Sequence, residues 1–127
     1  MKITVATDLS HRSDRALSRA FRLARTHGAQ LSVLHVLDDD IPLEVRDTLH
    51  DKARFLLERQ CKALAEEQVF ELDIRSGDPM AELLRTGNLS DLMILGVHRP
   101  RPFLDGLRET TMSRVVRHIS APVLLVT

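Results

Sequence analysis

Residues 2–36, KITVATDLSHRSDRALSRAFRLARTHGAQLSVLHV, place a helix between two apolar strands. Residues 2–7 are β-branched and apolar, and Asp8 opens the polar turn that is typical after a buried strand. The next apolar side chains recur at helical spacing, and Gly28 suits the left-handed position just past a helix end. Residues 30–36 are almost continuously apolar, as in a strand covered on both faces. The stretch therefore predicts a βαβ unit with two parallel strands.

The same alternation continues along the chain. It predicts a long helix over residues 42–67, a strand nearer a sheet edge over 69–75, a loop over 76–79, a short helix to about Gly87, a strand over 91–96, a helix carrying Met112, Val115, Val116 and Ile119, and a last strand from Pro122. Strands that alternate with helices imply right-handed crossovers. We therefore expect one α/β domain over residues 1–127, with a doubly wound parallel sheet and helices on both faces.

Composition excludes several classes of function. Eighteen basic and eighteen acidic residues cancel, so no overall field favours nucleic acid as a partner. Cys61 is the single cysteine, which excludes an internal disulfide and fits a reducing, cytoplasmic compartment. The chain opens directly on a core strand, and no apolar run approaches the roughly 20 residues that span a bilayer. We expect neither a membrane nor a nucleic-acid role.

Two loops follow strands at the edge where a doubly wound sheet binds ligands. They are residues 8–13 and residues 96–111, the second being the longest stretch without periodicity. Thr110 and Thr111 precede the last helix, where free N–H groups favour an anion, and Arg99 and Arg101 are placed to add charge-assisted hydrogen bonds. The alternative is that Thr110 only caps the helix and the arginines are solvated.

Other chemistry has little support in the sequence. The histidines and the acidic run 38–40 show no metal-ligand spacing, and the run reads as a solvated turn. There is no nucleophile elbow and no phosphate-binding Gly-x-x-x-x-Gly-Lys motif. Cys61 falls on or near the apolar face of the long helix, which favours a buried thiol over a redox one. We therefore assign no catalytic residue and no metal ligand.

Several blocks of the chain together resemble the universal stress protein family. They are ITVATDLS at 3–10, LHV at 34–36, GDP at 77–79, DLMILG at 91–96, RVVRH at 114–118 and PVLLV at 122–126. The resemblance spans nearly the whole chain. It implies an adenine nucleotide alpha hydrolase-like fold with strand order 3-2-1-4-5, whose crevice lies between the strands that end near Thr7 and Gly96.

The nucleotide-binding branch of that family carries Gly, two residues, Gly, nine residues, then Gly followed by Ser or Thr. Gly96 and Thr110 match the ends of this motif, whereas Arg99 and Glu109 stand where two glycines belong. Side chains there narrow the phosphate cradle, and the Glu109 carboxylate repels phosphate at short range. Asp8 matches the position that contacts the nucleoside, although an Asp after a first strand is also a common loop cap.

The resemblance implies a non-enzymatic stress-response protein that pairs as a homodimer through the strand between Pro122 and Thr127, an apolar edge open to a second copy. No cofactor is required, although ATP, AMP or phosphate is a possible ligand. The alternative function is an ATP- or AMP-binding switch or a weak nucleotide hydrolase. The candidate nucleotide- or anion-binding residues are Asp8, Ser10, Val36, Gly96, His98, Arg99, Arg101, Thr110 and Thr111.

Overall fold

The computed structural model describes residues 1–97 and 111–127, and at residues 12, 111–113 and 115 it describes the backbone alone. Its elements are β1 (Lys2–Ala6), α1 (His11–His27), β2 (Gln30–Asp38), α2 (Leu43–Ala65), β3 (Glu71–Gly77), α3 (Pro79–Asn88), β4 (Leu92–Gly96), α4 (Thr111–His118) and β5 (Val123–Val126). The strands form one parallel sheet in the order β3-β2-β1-β4-β5. The expected fold class and strand order are confirmed.

Helices cover both faces of the sheet. Leu31 and Val33 of β2 pack in one core cluster with α1 residues that include Phe21, whereas Leu34 packs with Leu83 of α3 in another. Neighbouring residues of a strand point to opposite faces, so these clusters lie on opposite sides of the sheet. Phe21 is fully buried, and burial of such a side chain stabilises the fold by about 1.5–3 kcal/mol.

Helix α1 begins and ends close to where the sequence predicts. Ser10 is the residue before its first turn, but its side chain makes no capping bond to the helix. Gly28 follows the last turn with φ of 61°, the left-handed conformation that glycine adopts without strain, and its N–H donates to the Ala24 and Arg25 carbonyls. The exit from α1 is therefore fixed by the glycine, whereas the entry depends on other contacts.

The predicted boundaries around β3 are displaced. The strand occupies Glu71–Gly77, two residues later than expected, and Val69 lies outside it with 88% of its surface exposed. Helix α2 stops at Ala65, where Glu66 takes a φ of 55°, and the Gln68 N–H donates to the Ala65 carbonyl. Because of these turns, β3 begins and ends two residues later than predicted. The predicted loop at 76–79 is therefore reduced to the cap residue Asp78, between Gly77 and α3.

Asp78 caps α3, and Pro79 is its first residue. One carboxylate oxygen of Asp78 accepts the Ala81 N–H at 3.0 Å, and proline suits this position because its missing N–H would have no helical partner.

Within the described residues, no helix combines the length and apolarity that crossing a bilayer requires.

Candidate functional site

A crevice of about 250 Å³ lies at the carboxyl ends of β1 and β4, the neighbouring strands from which the chain departs in opposite directions. Such a switch point leaves a gap between diverging connections, which is where doubly wound sheets bind ligands. The residues that line it are Ala6, Thr7, Asp8, Ser13, Leu34, His35, Val36, Pro79, Leu83, Leu95 and Gly96.

Asp8 organises the β1–α1 turn at one side of the crevice. Its Oδ1 accepts the Ser10 N–H at 2.9 Å, the Ser10 hydroxyl, and the Ser13 hydroxyl at 2.7 Å. The Asp8 N–H in turn donates to Ser13 Oγ at 3.0 Å. Leu9 holds the left-handed φ of 67° inside this turn. Asp8 therefore fulfils the role of a loop cap and also borders the crevice.

Val36 presents backbone groups to the crevice. The Thr7 N–H donates to the Leu34 carbonyl, which shows that this carbonyl faces β1, and the Asp39 N–H donates to Gly77 on the β3 side. Because backbone groups along a strand alternate between its two neighbours, the N–H and C=O of Val36 point to the β1 side. β1 has already ended at Ala6. One donor and one acceptor of Val36 thus face the space beyond the end of β1.

His35 is a crevice residue that the sequence analysis did not select. Its side chain is buried with 7% exposure, and its Nδ1 donates to the Thr7 carbonyl at 2.8 Å. Leu34 and Val36 pack on the opposite face with the α3 cluster. The His35 side chain therefore lies on the α1 face of the sheet, where its hydrogen bond to Thr7 joins β2 to the end of β1. A lone histidine within an apolar strand was the available signal.

The walls of the crevice are mainly apolar. Ala6, Leu34, Val36, Leu83 and Leu95 belong to, or pack against, one core cluster. Among the residues that the structure describes around it, Asp8 is the acidic side chain, and no lysine or arginine is present. No group of three His, Cys, Asp or Glu within residues 1–97 and 111–127 is placed to hold a metal ion. The described walls suit a flat, uncharged group that exchanges hydrogen bonds with backbone.

The candidates from the sequence divide into three groups. Asp8, Val36 and Gly96 line the crevice. Ser10 is half-buried beside the crevice, and its N–H and hydroxyl both donate hydrogen bonds to Asp8 Oδ1. The remaining candidates are His98, Arg99, Arg101 and Thr110, which lie outside the described residues, and Thr111, which begins α4 and whose side chain is outside them.

Sequence reasoning missed the side chains that reach the crevice from other elements. Pro79 and Leu83 come from α3 and Leu95 from β4, whereas Ser13 of α1 falls within the predicted loop 8–13 without being selected as a site residue. Each has the pattern of an ordinary core or cap residue. Their part in the crevice arises from packing between distant segments, which periodicity does not report.

A larger open depression of about 450 Å³ lies at the opposite, amino-terminal edge of the strands. It is lined by Lys2, Arg25, Gln30, Gln68, Glu71 and neighbouring residues. This edge is remote from the switch point, and it is bordered by the ends of α1 and α2 rather than by a helix N-terminus. Its size alone does not make it the better candidate, so we place the functional site at the smaller crevice.

Comparison with known proteins gives the same fold. UspA from Lactobacillus plantarum, a universal stress protein, is 23% identical with a TM-score of 0.75, and the match covers 100% of this chain and 97% of that one. A universal stress protein in complex with cAMP is 20% identical with a TM-score of 0.77, over 99% and 95% of the two chains. One from Archaeoglobus fulgidus in complex with dAMP is 19% identical with a TM-score of 0.71, over 100% and 98%.

No curated protein sequence matches the chain. The model of the universal stress protein family, however, matches residues 1–127. The match covers both strands that border the crevice, β1 and β4, and the loops that follow them. The chain belongs to the universal stress protein family.

Proposed function

We propose that the protein is a non-enzymatic, cytoplasmic regulator of the stress response whose crevice binds an adenine nucleotide or a small anion and whose output passes through protein partners. The observation that carries the proposal is the backbone of Val36, which directs an N–H and a C=O past the end of β1 into the crevice. A nucleobase edge offers complementary donors and acceptors. Residues 1–127 form the single domain that does this.

Two structural neighbours support a nucleotide as the ligand. One of these proteins is in complex with cAMP and the other with dAMP, and both share this chain's fold over nearly its whole length. The bound nucleotides belong to those proteins. For this chain they suggest AMP and ATP as the first ligands to test, with Asp8, Val36 and Gly96 as the described residues nearest to them.

The second candidate is an ATP- or AMP-binding switch or weak nucleotide hydrolase that uses Asp8, Gly96 and Thr110, with a divalent metal. It is favoured by the position of Asp8 on the crevice rim. It requires a carboxylate free to hold a metal or a proton, whereas Oδ1 of Asp8 already accepts hydrogen bonds from Ser10 and Ser13. Release of phosphate from ATP in the presence of magnesium would favour this second function.

The protein acts as a homodimer that pairs through β5. This strand is the last in the sheet, and Leu124 and Leu125 are 36% and 45% exposed on it. An apolar edge strand is a template for pairing with another chain, and a two-fold pairing of equivalent edges would extend the sheet across both copies.

Isothermal titration of the full chain with ATP, AMP and inorganic phosphate tests the ligand. We expect saturable binding of at least one adenine nucleotide, and at least about a tenfold loss of affinity in Asp8→Ala. The matched control is Asp47→Ala, which removes an exposed carboxylate from α2. If none of the three ligands binds, or if Asp8→Ala and the control bind with equal affinity, the proposal that the crevice binds the ligand is contradicted.

A further inference from the structure

We infer that the exposed side of α2 is a docking surface for an acidic amphipathic helix of a partner protein. This α2 surface is formed by the exposed side chains of Val45, Leu49, Lys52, Phe55, Leu56 and Arg59. None of them lines the crevice. The inference therefore goes beyond the proposed function, because it concerns a second surface and a class of partner that the crevice ligand does not determine.

Helix α2 turns apolar side chains to solvent as well as to the core. Its buried side consists of Ala53, Leu57, Cys61 and Ala65. Four further apolar side chains are 36–59% exposed, namely Val45, Leu49, Phe55 and Leu56. Single exposed apolar residues are normal on a protein surface, whereas several that share one side of a helix mark an interaction site. Burial against the rest of the chain therefore does not account for the second apolar side of α2.

The spacing along this side indicates the shape of the partner. Val45, Leu49, Lys52, Leu56 and Arg59 follow one another in alternating steps of four and three residues. This spacing places side chains in one seam and is the one at which two helices pack knobs into holes. At 1.5 Å per residue the seam is about 21 Å long, which matches a partner helix of about four turns. A helix laid along α2 fits this seam better than a loop or a strand does.

The charges in the seam indicate the composition of the partner helix. Lys52 and Arg59 are exposed, and among the described residues neither forms an ion pair. The Arg59 guanidinium lies over the Phe55 ring at 5.7 Å from its centroid, which keeps both side chains on the surface. The stems of Lys52 and Arg59 add apolar contact while their charged ends reach the edge of the seam. Glutamate or aspartate flanking the apolar face of the partner would complement them.

A second copy of this chain or a membrane suits the α2 surface less well. Two α2 helices paired along their seams in register would bring Lys52 and Arg59 of one copy against the same cations of the other, and like charges across an interface are costly. Helices that lie on anionic membranes are rich in Lys and Arg on their polar side. Helix α2 instead carries four acidic residues beside five Lys and Arg. An acidic helix meets neither obstacle.

Two synthetic peptides of about three heptads test the charge requirement. Both have leucine at the a and d positions. The acidic peptide has glutamate at every e and g position and the basic peptide has lysine there, so that each repels a second copy of itself. Fluorescence anisotropy of the labelled peptides measures their binding to the full chain at low ionic strength, where charge pairs are least screened.

Two variants alter the surface, and each has a matched control at exposed positions. Lys52→Glu/Arg59→Glu reverses the charge of the seam, and Arg19→Glu/Arg22→Glu makes the same change on α1. Leu56→Gln removes apolar area from the seam, and Val69→Gln does so outside it. Circular dichroism establishes that each variant folds.

We expect the wild-type chain to bind the acidic peptide at least about tenfold more tightly than the basic one, the charge-reversed variant to invert this preference, and Leu56→Gln to lose at least about tenfold in affinity for the acidic peptide. Both controls should bind as the wild type does. If the charge-reversed variant does not fold, the wild-type preference between the peptides decides.

Equal binding of both peptides, or no binding of either, would overturn the inference. Two other results would overturn it by naming another occupant. Dissociation of a wild-type oligomer by Leu56→Gln in sedimentation velocity would assign the α2 surface to a second copy. Binding to phosphatidylserine vesicles that Leu56→Gln abolishes would assign it to a membrane. Titration with AMP tests the crevice separately, so the proposed function stands or fails independently of these results.

Discussion

Asp8 and Ser13 hold each other through two hydrogen bonds across the β1–α1 turn. The Ser13 hydroxyl donates to Asp8 Oδ1 at 2.7 Å, and the Asp8 N–H donates to Ser13 Oγ at 3.0 Å. Ser13 is buried with 5% exposure, whereas Asp8 is exposed at the crevice. The buried serine thus fixes the position of a rim carboxylate. The entry of α1 and the shape of the crevice depend on the same pair.

Ser13→Ala should therefore weaken both the fold and ligand binding. It leaves the Asp8 N–H and Oδ1 without this partner, at a cost of about 1–3 kcal/mol in the free energy of unfolding. Urea denaturation measures this cost. Ser18→Ala, an exposed position of the same helix, controls for the gain in helix propensity that alanine brings. Equal stability of the two variants would show that the pair contributes nothing.

Gly87→Ala should destabilise the contact between α3 and the chain that follows α4. A Cβ at Gly87 would lie 1.9 Å from Ile119 Cδ1 and 3.0 Å from Met93 Sδ, so the isoleucine must move. Overpacking of this kind costs about 1–3 kcal/mol, offset in part by the better helix propensity of alanine.

A double-mutant cycle with Ile119→Ala tests whether this clash is the cause. Removing the isoleucine side chain makes room for the Cβ, so the penalty of Gly87→Ala should shrink or reverse in the Ile119→Ala background. Thermal or urea unfolding of the four proteins gives the coupling. Additive effects of the two substitutions would show that the glycine is required for some other reason.

Cys61 should make the stability of the protein fall in alkaline solution. Desolvation by burial raises the pKa of its thiol from 9.0 to about 12. The folded state therefore keeps the proton to higher pH than the unfolded chain does. Its contribution is fully present below pH 9 and is lost between pH 9 and about 12, at roughly 1 kcal/mol per pH unit.

Cys61→Ala isolates this effect from the titration of other groups. The difference in unfolding free energy between the wild-type chain and Cys61→Ala should decrease as the pH rises from 9 to 11, as measured by urea denaturation at each pH. A difference that stays constant over this interval would mean that the thiol ionises as easily in the folded state as in the unfolded one.

Leu125→Pro should convert the proposed dimer to a monomer without unfolding it. The Met93 and Val97 N–H groups donate to the Pro122 and Val126 carbonyls, so even-numbered backbone groups of β5 face β4 and the Leu125 N–H faces the open edge. Proline removes that outward donor and no bond to β4.

Sedimentation velocity of Leu125→Pro and Leu125→Ala distinguishes a backbone from a side-chain role. We expect the proline variant to sediment as a monomer with an unchanged circular dichroism spectrum and the alanine variant to remain mainly dimeric. Leu124→Pro should lose folded structure, because its N–H faces β4. A dimer of Leu125→Pro as stable as that of the wild type would place the interface elsewhere.

The regular elements could be predicted because their burial follows their periodicity. The helical spacing in α1 and the apolar run in β2 are direct consequences of which faces are covered. The predicted start of β3, at Val69, was wrong because this apolar side chain is 88% exposed and lies outside the sheet. Gly77 was assigned to a loop because its strand pairing with Asp38 depends on a distant segment.

The candidate site was partly predictable for the same reason. Asp8 follows β1 and Gly96 ends β4, whereas Val36 lies two residues before the end of β2, and strand ends meet at one edge of a parallel sheet. Leu83 could not be selected, since it acts through packing from α3, and His35, whose signal was a lone histidine in an apolar strand, acts through a hydrogen bond to Thr7. Such contacts join segments that no local pattern connects.

Amide chemical shifts of the ¹⁵N-labelled chain during titration with AMP test most directly where a ligand binds. We predict the largest changes at Asp8, Val36 and Gly96, which border the crevice, and none at Ala29 and Glu71, which border the depression at the opposite edge of the sheet. Changes concentrated at Ala29 and Glu71, or no changes at saturating AMP, would contradict a nucleotide site at the carboxyl ends of β1 and β4.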